Sequence, residues 1–313
     1  MNDQAPTLSP SLLRAVVCED PAEAFAAWTA WRTTVEIEDL TWPELQMMPL
    51  LDAPRLQNWL ADDPAAGVIR GIVRRSWLEA QVRLAMVQRA SEALAGAGCD
   101  SVTVLGPAGQ YLRTLGSEIV RPISEIRLLI RRSDLVVAAA VLQAEGWDTP
   151  CAPPTGHALN WSTNISFSRN RVPLYLHWRV LPVPAGETSA CEREFLSQHD
   201  VVEALGTIFR ILAPGHALIE ALSERPESAD VVPWQVDAAL IARHAIDWPR
   251  WASLARALQP QVIARLTELR TLGVSVPALP QPPAERSAVP SIRLNRGTAM
   301  RWARRLCAAI GGR

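Results

Sequence analysis

Glu125 and Arg127 stand at alternate positions in the short apolar run EIRLLI, residues 125–130. If that run is a strand, both side chains leave one face, because successive residues point to opposite sides. Two carboxylates in that arrangement would share divalent cations and clamp an in-line displacement. Here the second position is a guanidinium, which stays charged at any accessible pH and repels a cation. Arg127 therefore has two chemical options besides simple exposure to solvent. It can neutralise Glu125, or it can grip a phosphate through its planar donor fork. Gly106 and Gly109 follow an earlier apolar run and would let a phosphate approach the backbone. Arg121, just upstream of Glu125, either touches a phosphate or anchors its loop to a neighbouring carboxylate. His177, in LHW at 176–178, is a candidate general base. The competing reading is a hydrogen-bonded core histidine.

Several chemistries are excluded by composition. None of the 31 Lys-plus-Arg residues is lysine, so a Walker-type phosphate loop and lysine Schiff-base chemistry are both ruled out. The five cysteines, at 18, 99, 151, 191 and 307, form no C-x-x-C pair, and the five histidines show no H-x-x-x-H spacing. A net charge of −1 predicts no strong pull toward nucleic acid or anionic membrane. No apolar run is long enough for a membrane span. The first residues lack a basic region followed by an apolar stretch, so the expected location is the cytoplasm.

The elements that must position these residues follow from periodicity. Residues 21–32 and 42–59 carry apolar side chains at helical spacing, and a long helix is expected over 70–97, ended by Gly98. Residues 101–105 (SVTVL) and 125–130 read as buried strands, with a glycine turn and a short helix at 110–115 between them. Ser133 is placed to cap a helix over 134–145. Two more strands are expected at 164–169 and 172–180, joined by a turn at Asn170 and Arg171. From about residue 192 the chain reads as helical, with Asp247 as a cap. Residues 276–295 are proline-rich. Residues 298–310 form a short basic amphipathic stretch bearing Arg301, Arg304 and Arg305.

In order and spacing, these segments resemble a family of bacterial uncharacterised nucleotidyltransferases within the DNA polymerase beta-like superfamily. Residues 93–106 (ALAGAGCDSVTVLG) are similar to that family's helix, small-residue turn and strand. RPISEIRLLI, 121–130, resembles its arginine-proline signature with two aspartates. AAVLQAEGW, LHW, and WQVD followed by Asp247 and Trp248 resemble later motifs. The likeness runs from about residue 40 to 275. It implies an α+β fold, with a minimal nucleotidyltransferase core (a small mixed sheet and flanking helices) between helical segments. The expected divisions are a helical segment at 1–70, a core at 71–190, a helical domain at 191–275 and a linker with basic tail at 276–313. By the same resemblance Gly106, Gly109, Arg121 and Ser124 would contact nucleotide.

The departures set the functional expectation. Glu125 replaces the family's first metal aspartate, Arg127 the second and Tyr175 the third carboxylate, while Leu105 replaces a lysine. The resemblance thus leaves one carboxylate, Glu125, for a metal. The leading expectation is a catalytically degenerate, pseudoenzyme-like binding or accessory subunit with no cofactor. The alternative is an active enzyme that uses Mg2+ and an NTP through Glu125. A protein partner is expected at the tryptophan-bearing helices (Trp28, Trp31, Trp248, Trp251) or at the basic tail. Those tryptophan pairs equally suit a helix-face core.

Overall fold

The computed structural model describes residues 8–51, 53–160, 162–181, 188–223, 232–258 and 262–279. The basic tail therefore lies outside the described residues. The fold is α+β, as the resemblance implies. Four short helices open the chain: α1 (Pro10–Val17), α2 (Pro21–Arg32), α3 (Trp42–Met47) and α4 (Ala53–Trp59). Asp20 caps α2 by accepting hydrogen bonds from the amides of Ala22 and Glu23. The long helix α5 (Ala66–Gly96) starts four residues before its expected position and is followed by Gly98 at φ +87°.

The sheet follows. Strand β1 (Thr103–Leu105) leads directly into α6 (Gly106–Arg113), so the glycine segment expected to be a turn is the first part of a helix. Strand β2 (Ile126–Leu129) precedes α7 (Leu135–Ala144). Ser133 does not cap α7; its hydroxyl bonds the Asp134 carboxylate instead. Strands β3 (Asn164–Arg169) and β4 (Val172–His177) form the expected hairpin, with Asn170 and Arg171 at φ 51° and 64°. Positive φ at both central residues matches the twist of the flanking strands.

A larger expectation also fails. After α8 (Thr188–Ser197), the segment read as helical contains β5 (His199–Ala204) and β6 (Thr207–Leu212). The physical signal is present in the chain. Leu205 and Gly206 both adopt positive φ in a two-residue turn, and the flanks carry the β-branched residues Val201, Val202, Thr207, Ile208 and Ile211. The strand order is β3-β4-β2-β1-β6-β5. The sheet is mixed: β2–β4 and β1–β6 are parallel, and the other pairs are antiparallel. Helices α9 (Pro214–Ala221), α10 (Trp234–Ala242), α11 (Trp248–Leu258) and α12 (Val262–Thr271) follow among the described residues, and Asp247 accepts from the amide of Arg250 as its cap role requires.

The two faces of the sheet are chemically distinct. Val104, Ile126, Leu128, Leu174, Leu176, Phe209 and Ile211 belong to one apolar core, packed with Leu84, Val87 and Leu94 of α5 and Leu135 and Leu142 of α7. Alternation sends Leu105, Leu129 and Leu212 to the other face, into a second core built with α9, α10 and the N-terminal helices. Arg127 and Tyr175 fall on this second face, since Arg127 registers with Leu105 on one side and with Tyr175 on the other. Trp28, Trp31 and Trp251 are buried in the same core. Trp28 stacks obliquely on Trp31 at 5.1 Å between ring centroids. These three tryptophans thus serve packing.

Candidate functional site

The site lies where the sheet's second face meets the first turn of α6. Glu125, in the bend just before β2, is completely buried, and Arg127 two residues on has a side chain 8% exposed. The two form an ion pair. The neutralising option for Arg127 is therefore the arrangement that forms. Tyr175 lies beside Arg127 on β4, half-buried, and His177 follows it with ring centroids 6.5 Å apart. His177 is buried against the register partner Leu129.

A third charged group completes the cluster, and the sequence reading did not identify it. Glu220, on α9, is 4% exposed and places Oε1 3.5 Å from Arg127 Nη1. Its other oxygen accepts a hydrogen bond from the amide of Gly106 at 3.3 Å. Arg127 is thus held between two buried carboxylates from separate elements. The only trace in the sequence is one acidic residue among the apolar residues of PGHALIEA. Nothing local says what that carboxylate faces, because its hydrogen-bond partner Gly106 lies 114 residues away.

Gly106 is required twice over. Its φ of +58° lies in the left-handed region that side chains rarely adopt. A Cβ there would sit 2.9 Å from Arg127 Cδ. The guanidinium stem therefore lies against the Gly106 backbone at the N-terminus of α6. Gly109 has a different cause. A Cβ there would meet the Val104 carbonyl oxygen at 2.9 Å, so glycine lets α6 pack close on β1.

Of the other expected contacts, Arg121 is fully buried and makes a two-pronged ion pair with Asp237, Nε–Oδ1 2.7 Å and Nη2–Oδ2 2.9 Å. It also donates to the Pro122 carbonyl at 2.6 Å. This is the loop-anchoring option, and it locks the segment before Glu125 onto α10. Ser124 is half-buried, and its hydroxyl oxygen has no hydrogen-bond partner among the described residues. On α9, His216 lies one turn before Glu220 and contacts Glu194 at 3.0 Å. Burial pushes its imidazole below the usual histidine range, and the Glu194 contact opposes this only in part.

Chemically, the cluster binds charge to charge within the chain. Among the described residues no three His, Cys, Asp or Glu side chains are grouped to hold a metal ion. No helix among them is long and apolar enough to cross a membrane.

Comparison with known proteins agrees with the order of motifs. No curated protein matches the chain. Residues 64–268 match the model of a family described as uncharacterised nucleotidyltransferase, a stretch that runs from α5 to α12 and includes Gly106, Glu125, Arg127, Tyr175 and Glu220. With most of its length so matched, the chain belongs to the uncharacterised nucleotidyltransferase family.

Proposed function

We propose that this protein is a non-catalytic member of its family, serving as a binding or accessory subunit. The observation that supports this most is the placement of Arg127 between Glu125 and Glu220. Metal-dependent nucleotidyl transfer needs a hard cation on oxygen ligands and the triphosphate near the N-terminus of a helix. In this chain a guanidinium holds the place beside Glu125 where that cation would bind. The Glu220 carboxylate holds the Gly106 amide, where an anion would bind. The internal pair thus supplies both the positive and the negative partner that magnesium and phosphate would otherwise supply.

The donor set does not fit the metal. Magnesium loses its waters reluctantly and needs near-octahedral oxygen coordination. Glu125 is committed to Arg127, and Tyr175 offers a neutral phenol in place of a carboxylate. At about 6 Å and an effective dielectric of ~20, a +1 and a +2 charge repel by roughly 5 kcal/mol before screening. The guanidinium thus offsets about half of the attraction that two carboxylates at similar range would exert on the cation, and it already occupies Glu125.

The test is calorimetric titration of the purified protein with each NTP, with and without magnesium, beside an assay for transfer of labelled nucleoside monophosphate. No magnesium-dependent binding and no label transfer are expected. Transfer that disappears in Glu125→Gln would establish an active enzyme with a rearranged site and overturn the reading.

A further inference from the structure

Away from this site, α4 and the first half of α5 enclose an open apolar groove of about 350 Å3. Leu56, Leu60, Val73, Trp77 and Val120 supply its apolar lining. Arg70 and Arg74 also line it and lie one helical turn apart on α5. They form no ion pair among the described residues. On the same helix Arg75 and Arg83 both reach Glu79. Trp77 is 45% exposed, which is unusual for a large aromatic ring with a core beneath it.

We propose that this groove docks an acidic amphipathic helix of a partner protein. The case rests on geometry and charge. Val73 and Trp77 are one turn apart, as are Arg70 and Arg74, so apolar and cationic positions run in parallel rows along α5. A helix laid alongside would match both rows with apolar anchors one turn apart and carboxylates one turn apart. The exposed indole and the apolar lining offer the pocket for such an anchor, and the arginines set its register and sign. Other occupants fit less well. The volume is at the low end for small-molecule sites, and an open groove cannot enclose most of a ligand's surface. Among the lining side chains only Gln57 can accept a hydrogen bond from a nucleobase's amino group. Val120 belongs to the segment leading to Arg121 and is tied to Pro49 by its amide. An occupant therefore touches the loop that carries Glu125.

The test is selection of short helical peptides with one randomised face, displayed on phage, against the full-length protein. Enriched sequences should carry Asp or Glu one turn apart beside Leu, Phe or Trp one turn apart. A fluorescent synthetic copy should bind by anisotropy with an affinity that falls as salt rises. Binding should weaken at least about tenfold in Arg70→Glu/Arg74→Glu, whose changes are on exposed side chains, and in Val73→Asp. Enrichment of peptides without acidic residues, or no enrichment at all, would overturn the proposal. So would equal binding to the variants, or displacement by ATP or sodium dodecanoate as effective as by unlabelled peptide.

Discussion

Replacing Arg127 by alanine should cost the fold several kcal/mol, and the cost should depend on the carboxylates that remain. Glu125 is fully buried and Glu220 nearly so, and both face the guanidinium. Removing one partner from a buried ion pair leaves uncompensated charge and typically costs about 3–5 kcal/mol. Here two carboxylates lose the same cation, so the upper part of that range is expected. Total stability of a domain is only about 5–15 kcal/mol. At roughly 2–4 °C per kcal/mol for a chain above 150 residues, the melting temperature should fall by about 10–20 °C. The assay is urea denaturation followed by tryptophan fluorescence, with thermal melting as a second probe. Adding Glu125→Gln to Arg127→Ala should restore part of the loss, because one buried charge disappears with its partner. Manganese should stabilise Arg127→Ala more than the parent. A ligand present at a hundred times its dissociation constant contributes about 2.7 kcal/mol. Arg127→Asp with Tyr175→Asp, which supplies the carboxylates that the resemblance implies, should be less stable still without metal and gain the most from it. If Arg127→Ala lies within about 1 kcal/mol of the parent, or manganese stabilises parent and variant alike, the internal-cation account is wrong.

Three further outcomes follow from the packing. Gly106→Ala and Gly109→Ala should each destabilise by about 1–3 kcal/mol, while Gly71→Ala, where a Cβ on α5 meets nothing within 4 Å, should stabilise by roughly 0.5–1 kcal/mol in the same denaturation assay. Asp237→Ala should cost about 3–5 kcal/mol by stranding the buried Arg121 guanidinium, readable as a lower urea midpoint at unchanged slope. The depressed imidazole of His216 makes stability pH-dependent. The unfolded histidine takes up a proton near pH 6.5 and the folded one resists it until lower pH, so this contribution is complete above about pH 6.5 and is lost as pH falls below it. His216→Gln should flatten that slope between about pH 6.5 and 5.

The chain's local patterns carried much of the fold. The β-branched runs, the Asn170–Arg171 turn and the long amphipathic α5 were legible because each depends on a few neighbouring residues. Strands β5 and β6 escaped because their turn, Leu205–Gly206, lacks the asparagine or aspartate that usually announces positive φ at its first position. Sequence alone also put Glu125 and Arg127 at alternate positions and established that no lysine is available for phosphate, while the expected strand begins only at Ile126 and leaves Glu125 in the bend before it. It left open whether Arg127 pairs internally or reaches a ligand, and whether Arg121 anchors or binds. Tertiary structure decided both by bringing in distant carboxylates: Asp237, which lies 116 residues beyond Arg121, and Glu220 on α9. A buried guanidinium must find its counter-charges in three dimensions, and no sequence period encodes a contact between separate elements. The α9 helix alone shows one glutamate among apolar neighbours, and only its docking over the N-terminus of α6 makes that glutamate the second partner of Arg127.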